Sequence, residues 1–378
     1  NLYINLYINF FINFFIIIIM KKISLEEAYI SPYFEKYCKL DNLLEYAVFT
    51  GKNKNKYNYL LDPDNIRFKE ADKNKTTFVI SITFPGAQVL KNYKDAPIFC
   101  RLTNDFMNDK VNNYNKINKT HHSFFGVLPF NNPDDALKEL KRLNKLNPPI
   151  NRILFNGPTV NNKKYDWIID KKWDKLWKYA NKNKTIFYSH PFIATSFSNK
   201  EYDANMVFYL KNNPQIISSQ FGFHINDAIF FLKLYIHYIF ERFPNIQWIA
   251  GHMGETLLWY LWRFDHRTLK YRKEENEYKK HLSNYKFLKF PKNTLTSLFT
   301  TQKNKKHAQI IITTSGWFHT PSLKYAIEMV GIENICYSID TPYENLKEAD
   351  DWLKSLPISK KNKEMIAWKN ANNLLKLY

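Results

Sequence analysis

From residue 20 onward, short apolar runs rich in Ile, Val, Phe and Tyr alternate with longer stretches whose apolar residues recur every three or four positions. Read as strands, the short runs are Lys22 to Ala28, Thr77 to Phe84, Ser123 to Phe130, Asn151 to Asn156, Thr185 to His190, Ile246 to His252, Gln309 to Ser315 and Asn334 to Asp340. The longer stretches predict helices over Pro133 to Leu146, which opens on Asn-Pro-Asp-Asp, and over Trp173 to Asn181, Ala228 to Phe243, Thr320 to Val330 and Lys347 to Leu353. Mostly buried strands separated by helices predict an α/β fold, a single (β/α)₈ TIM barrel. Lys- and Asn-rich stretches at Gly51 to Asp62 and Tyr271 to Lys306 read as surface insertions, and no internal repeat or second domain is visible after residue 20.

The first 19 residues stand apart. NLYINLYINFFINFFIIII is a four-residue repeat, apolar enough to suggest a signal anchor or membrane span, with Asn at positions 1, 5, 9 and 13 and no basic leading region. Met20 opens directly into the first strand, which leaves almost no linker behind a span. The preferred reading is a low-complexity segment, 1–19, outside the mature fold, followed by one domain, 20–378.

Composition narrows the picture further. The 378 residues are 45% hydrophobic and 17% aromatic, enough for a large core. The formal charge of +20 raises the question of nucleic acid, but the lysines are diluted among Asn, Tyr and Ile with no Arg-rich stripe. The charge therefore reads as solvated surface, with neither a nucleic acid nor a membrane as partner. Cys38, Cys100 and Cys336 are widely spaced and form no CxxC pair. That argues for a reducing, cytoplasmic setting without disulfides or a Cys-based zinc site.

In a barrel of this kind the chemistry gathers at the C-terminal ends of the strands. The residues there are Glu26 and Ala28, Phe84, Asn156, His190, His252, Ser315 with Trp317, and Asp340. Two carboxylates and an imidazole, Glu26, His190 and Asp340, can hold a divalent cation with positions left open for water or substrate. His252 and Glu255, three apart in Gly251-His252-Met253-Gly254-Glu255, can pair, the carboxylate orienting the imidazole for proton transfer. Each has a structural alternative: one of Glu26 and Glu27 facing solvent, His190 as a core histidine, Asp340 as a helix cap.

These residues also carry a resemblance. Leu25-Glu26-Glu27-Ala28, Ser189-His190-Pro191, Gly251 to Glu255, Trp262-Arg263-Phe264-Asp265-His266-Arg267, Thr313-Thr314-Ser315-Gly316 and Ser338-Ile339-Asp340-Thr341-Pro342-Tyr343-Glu344 stand in family order. Over almost the whole chain from Met20 the sequence resembles the amidohydrolase-related, metal-dependent decarboxylases. That group contains the γ-resorcylate, 5-carboxyvanillate and 2,3-dihydroxybenzoate decarboxylases. The Glu-x-Ala form at Glu26 and Ala28 is most similar to the 2,3-dihydroxybenzoate branch.

The resemblance implies that one divalent metal ion (Zn, Mn or Mg) is bound by Glu26, His190 and Asp340. It implies that His252 and Asp340 act in catalysis with Glu255 as partner to His252, and that Arg263 contacts the substrate carboxylate. Asn156, Phe84 and Trp317 complete the candidate substrate contacts. The implied activity is non-oxidative decarboxylation of a small aromatic acid, an ortho-hydroxybenzoate such as 2,3-dihydroxybenzoate or γ-resorcylate, by a homo-oligomer (dimer or tetramer). Phe192 stands where relatives usually have Arg after His-Pro, and Trp317 where a small or polar residue often follows Ser-Gly, which leaves the substrate open. Two alternatives use the same barrel: a metal-dependent hydrolase of a lactone or amide, and a catalytically silent relative.

Overall fold

The structure, a computed structural model, describes residues 20–37, 54–83, 86–88, 90, 92–156, 159–161, 164–166, 168–190, 216, 218–277 and 290–378. The expectations for residues 1–19, Phe84 and Phe192 lie outside these residues.

Each apolar run becomes a barrel strand. In order they are Lys22–Tyr29, Thr76–Ile82, the pair Ser123–Phe124 and Gly126–Val127, Arg152–Asn156, Ile186–His190, Gln247–Ala250, Ile310–Thr313 and Ile335–Cys336. All neighbouring pairs are parallel. The third strand is interrupted at Phe125, whose amide still donates to the Ile80 carbonyl (2.8 Å), so it belongs to both arcs of the sheet. Buried on both faces, these strands need no polar alternation, and they read as continuous Ile, Val and Phe runs.

The ring closes between the first strand and residues 338–341. Ala28 N donates to Thr341 O (2.9 Å), Glu26 N to Ser338 Oγ (2.8 Å) and Ile339 N to Ser24 Oγ (2.9 Å). Here the first strand departs from regularity. Its register with the second slips between Ser24 and Glu27, so Leu25 and Glu26 together stand opposite Val79. Such a bulge re-aims side chains. Glu26 turns to the barrel mouth while Glu27 takes hydrogen bonds from the Ser24 and Thr341 hydroxyls and from Thr341 N (3.1 Å). Both are buried, so neither carboxylate of the pair faces solvent.

The predicted helix Thr320–Val330 is present at its expected bounds and three others with shifted ends, Pro133–Leu143, Asp174–Asn183 and Leu346–Ser355, while the stretch Ala228 to Phe243 divides into Gly222–Ile236 and Ile239–Arg242. Two long helices had not been expected, Ala96–Asn118 and Leu257–Lys273. The insertion reading also needs correction. Lys54–Leu61 and Leu295–Phe299 are helical, and Leu60, Leu295, Leu298 and Phe299 are buried, so both stretches contribute to the core. Among the described residues no helix is long and apolar enough to cross a membrane, and Cys100 and Cys336 are buried.

Candidate active site

Glu26, His190, His252 and Asp340 converge at the C-terminal mouth of the barrel. Glu26 is buried; its Oε2 accepts a short hydrogen bond from the Tyr188 hydroxyl. Its Oε1, equally buried, has no hydrogen-bond partner among the described residues. Two imidazole nitrogens stand near it, His190 Nε2 at 3.6 Å and His252 Nε2 at 3.8 Å. His190 ends the fifth strand, in register with Asn156 on the fourth. Asp340, in a left-handed conformation (φ 82°), points Oδ2 at His252 Nε2, 3.7 Å away.

His252 owes its placement to an unusual turn. After the sixth strand ends at Ala250, His252, Met253, Gly254, Glu255 and Thr256 all adopt positive φ, from 42° to 84°. Left-handed helix costs roughly 1–2 kcal/mol per non-glycine residue, so the surrounding fold must hold it. Gly254, with φ 84°, is the position that accepts this backbone freely; a Cβ there would stand 3.0 Å from Leu258 Cγ. The turn brings residues three apart face to face: His252 Nδ1 donates to Glu255 Oε1 at 2.6 Å, which leaves Nε2 directed at Glu26 and Asp340.

Two residues outside the sequence expectation join the site from the helix Gly222–Ile236. His224 Nδ1 lies 2.8 Å from Glu255 Oε2 and its Nε2 is 2.9 Å from the Ser219 carbonyl. Asp227 accepts a short hydrogen bond from Ser189 Oγ beneath the same pocket. The available signal was a His and an Asp three apart on one helix face, in a stretch so apolar that both pass for core residues.

Electrostatics follow from this crowding. Burial alone would lower the affinity of His252 for its proton, but the charges of Glu255 and Glu26, the nearby Asp340 carboxyl and the hydrogen bond to Glu255 hold it well above the usual imidazole range. Burial pushes Glu255 up, yet His252 and His224 outweigh it and keep the carboxylate well below its usual range. Asp340 is pushed up to about 8, mainly by burial and also by the Glu26 and Glu27 charges, against the pull of His252. Asp227 is driven well above its usual range by burial, then by Glu255 and Glu26. Four carboxyl groups packed at one barrel mouth, two of them with a buried oxygen that has no hydrogen-bond partner among the described residues (Glu26 Oε1 and Asp227 Oδ2), are a donor set that fits a divalent cation. Glu26, His252 and Asp340 present one ligand atom each within 4.8 Å of one another, and His190 stands nearer to Glu26 than His252 does.

The remaining candidates divide. Asn156 is buried with its Oδ1 unpartnered among the described residues. Trp317 and His252 line a solvent-open cleft together with Met253, Thr256, Trp259 and Tyr325. Arg263, by contrast, is exposed on the helix Leu257–Lys273, and no hydrogen bond or ion pair among the described residues joins it to the cluster. In the same motif, Asp265 accepts from Leu295 N (2.7 Å) and Thr296 N (2.9 Å), so part of that motif is structural.

Known proteins share this fold. The chain is 27% identical over 367 residues to a γ-resorcylate decarboxylase of Rhizobium radiobacter, covering 94% of this chain and 98% of that one. It is 28% identical over 327 residues to a γ-resorcylate decarboxylase of Polaromonas sp., covering 84% and 89%. Among solved structures, a dihydroxybenzoic acid decarboxylase from Polaromonas sp. with bound manganese and the inhibitor 2-nitroresorcinol superposes with a TM-score of 0.76 at 26% identity, covering 95% of this chain and 97% of that one. The 2,6-dihydroxybenzoate decarboxylase from Rhizobium gives a TM-score of 0.75 at 26% identity, covering 95% and 99%. The amidohydrolase family profile matches residues 95–377, from the long second-to-third-strand helix to the C-terminus, and by that match the chain belongs to the amidohydrolase family.

Proposed function

We propose that the protein is a metal-dependent, non-oxidative decarboxylase acting on an ortho-hydroxybenzoate of the 2,6- or 2,3-dihydroxybenzoate type. The observation that carries this reading is the buried, unpartnered Glu26 Oε1, facing an imidazole whose other nitrogen is tied to Glu255. Glu26, His190 and Asp340 would hold one divalent ion, manganese being the first choice on the likeness to the manganese-bound relative. When bound, that ion supplies a Lewis acid and a template for the carboxylate and neighbouring hydroxyl of the substrate.

The chain's own groups then handle the proton. Decarboxylation requires the ring carbon bearing the carboxylate to gain a proton. The bond to the carboxyl carbon then breaks, CO₂ leaves, and its electron pair restores the aromatic ring. Asp340, whose Oδ2 lies 3.7 Å from His252 Nε2 at the barrel mouth, is the proposed donor. His252, with its Nε2 3.7 Å from Asp340 and its protonated form favoured by Glu255, would pass a proton to Asp340 after each turnover and take its replacement from solvent, which balances the proton left on the product ring. Trp317 walls the cleft against which the ring would lie. Asn156, with a free carbonyl oxygen, is the proposed partner of a substrate hydroxyl.

Purified protein supplied with Mn²⁺ is expected to release CO₂ from 2,6- or 2,3-dihydroxybenzoate. His252→Asn should lower kcat by ~10²-fold or more while the ion is retained, and His190→Ala should lose the ion. Turnover of lactones or amides with no turnover of any hydroxybenzoate sinks the proposal. Retention of Mn²⁺ by His190→Ala together with its loss from His252→Asn would reverse the assignment of the two histidines.

A further inference from the structure

We infer that His224 is a positioning residue for the His252–Glu255 pair; only the kinetic part of its test rests on the decarboxylase reading. Glu255 is completely buried, and each of its oxygens meets a different imidazole: Oε1 the Nδ1 of His252 at 2.6 Å, Oε2 the Nδ1 of His224 at 2.8 Å. Without His224, Oε2 would be a buried anionic oxygen with no donor, and the carboxylate would be free to rotate away from His252. The two anchors come from different elements, the helix Gly222–Ile236 and the left-handed turn, so the clamp fixes that turn against the helix crossing over from the fifth strand.

His224 is itself held at its far end. Its Nε2 lies 2.9 Å from the Ser219 carbonyl, and its ring meets His252 edge-on at 4.9 Å and Trp317 at 5.6 Å. It therefore ties the orientation of His252 to the aromatic wall of the cleft. His224, His252 and Glu255 also have the composition of a second cation site. The geometry argues against it: the 2.6 and 2.8 Å separations are those of N–H···O bonds. Two ligands at about 2.1 Å from one tetrahedral ion stand about 3.4 Å apart.

The test compares His224→Asn, which keeps an amide donor at the Nδ1 position, with His224→Leu, which removes both nitrogens. In the Mn²⁺-loaded enzyme, His224→Leu is expected to lower kcat about 10- to 100-fold, the scale for groups that orient a reacting one. KM should stay within about twofold of wild type and His224→Asn should recover most of the loss, the pattern of a positioning role. Independently of turnover, the Mg²⁺-loaded chain should show a downfield imidazole N–H proton resonance, assigned to His252 by its disappearance in His252→Asn. That resonance should persist in His224→Asn and shift or vanish in His224→Leu. Should His224→Leu fail to fold, His224→Phe keeps the ring against Trp317 and serves the same comparison. An unchanged kcat with an unchanged resonance in the nitrogen-free variant overturns the inference. So does a second equivalent of bound Mn²⁺ in wild type that His224→Leu loses. If wild type turns over no hydroxybenzoate, the decarboxylase reading falls while the resonance and the metal count still decide the role of His224.

Discussion

At Gly251 a side chain would meet the site head-on: a Cβ would stand 3.0 Å from Glu255 Oε1, 3.1 Å from Glu26 Oε2 and 3.3 Å from the Tyr188 hydroxyl. Its φ of −67° suits any residue, so the requirement for glycine here is space at the site rather than backbone freedom. Gly251→Ala is therefore expected to push apart the three oxygens that set Glu26 and the His252–Glu255 pair. It should cost more than tenfold in kcat and weaken Mn²⁺ binding, with a thermal midpoint within a few degrees of wild type. Unchanged Mn²⁺ affinity by titration would refute this account. At this scale the sequence disclosed His190, His252 and Asp340, which lie at or just past strand ends, because strand ends in a barrel share one mouth; Glu26, expected at a strand end, lies inside Lys22–Tyr29 and is turned to the mouth by the bulge. It hid His224 and Asp227, whose helix is apolar on nearly every face and begins six residues before the predicted Ala228. Arg263 lay in a motif whose side chains divide between solvent and structure, a division that spacing alone does not reveal.

The helix Ala96–Asn118 shows why some elements escape a hydrophobic pattern. Its buried stripe runs Phe99, Cys100, Thr103, Asn104, Met107, Val111 and Tyr114, at helical spacing but with polar residues among them. Asn104 is completely buried and acts as a clamp on the third strand: its Nδ2 donates to Val127 O (2.8 Å) and Glu139 Oε1 (2.7 Å), and its Oδ1 accepts from Val127 N (2.8 Å). The interrupted third strand leaves these backbone groups for the helix to satisfy. Asn104→Ala should strand Val127 N and O and cost about 2 kcal/mol or more in a urea titration, whereas a loss below about 0.5 kcal/mol, the scale of an ordinary surface change, would remove the clamp from the account. The strands themselves were legible because a doubly covered parallel sheet writes itself as apolar runs. The left-handed turn was not, since only Gly254 of its five residues announces a positive φ.

The described strands form a barrel whose last seam is fastened by side chains. Beyond the Ser24, Glu27 and Thr341 contacts, the completely buried Arg67 donates to the Ala28 carbonyl and to Thr341 O (3.1 Å) and Oγ1 (2.8 Å). On the same seam Lys22 Nζ, at the start of the first strand, pairs with Asp350 Oδ2 at 2.5 Å, and Tyr337 Oη donates to Asp350 Oδ1 at 3.1 Å. The lysine and aspartate side chains are 2% and 6% exposed, so neither charge has water to fall back on. The pair thus joins the first strand to the helix Leu346–Ser355. A buried ion pair adds little net stability over a well-packed apolar pair, but removing one partner leaves an uncompensated charge. Lys22→Ala is therefore expected to destabilise by about 3–5 kcal/mol, while Lys22→Met combined with Asp350→Leu should recover most of that loss. Equal losses in the single and double variants, measured by denaturant unfolding, would mean that the seam needs the hydrogen bonds of Asp350 itself, the one from Tyr337 included, rather than mere neutrality at that depth.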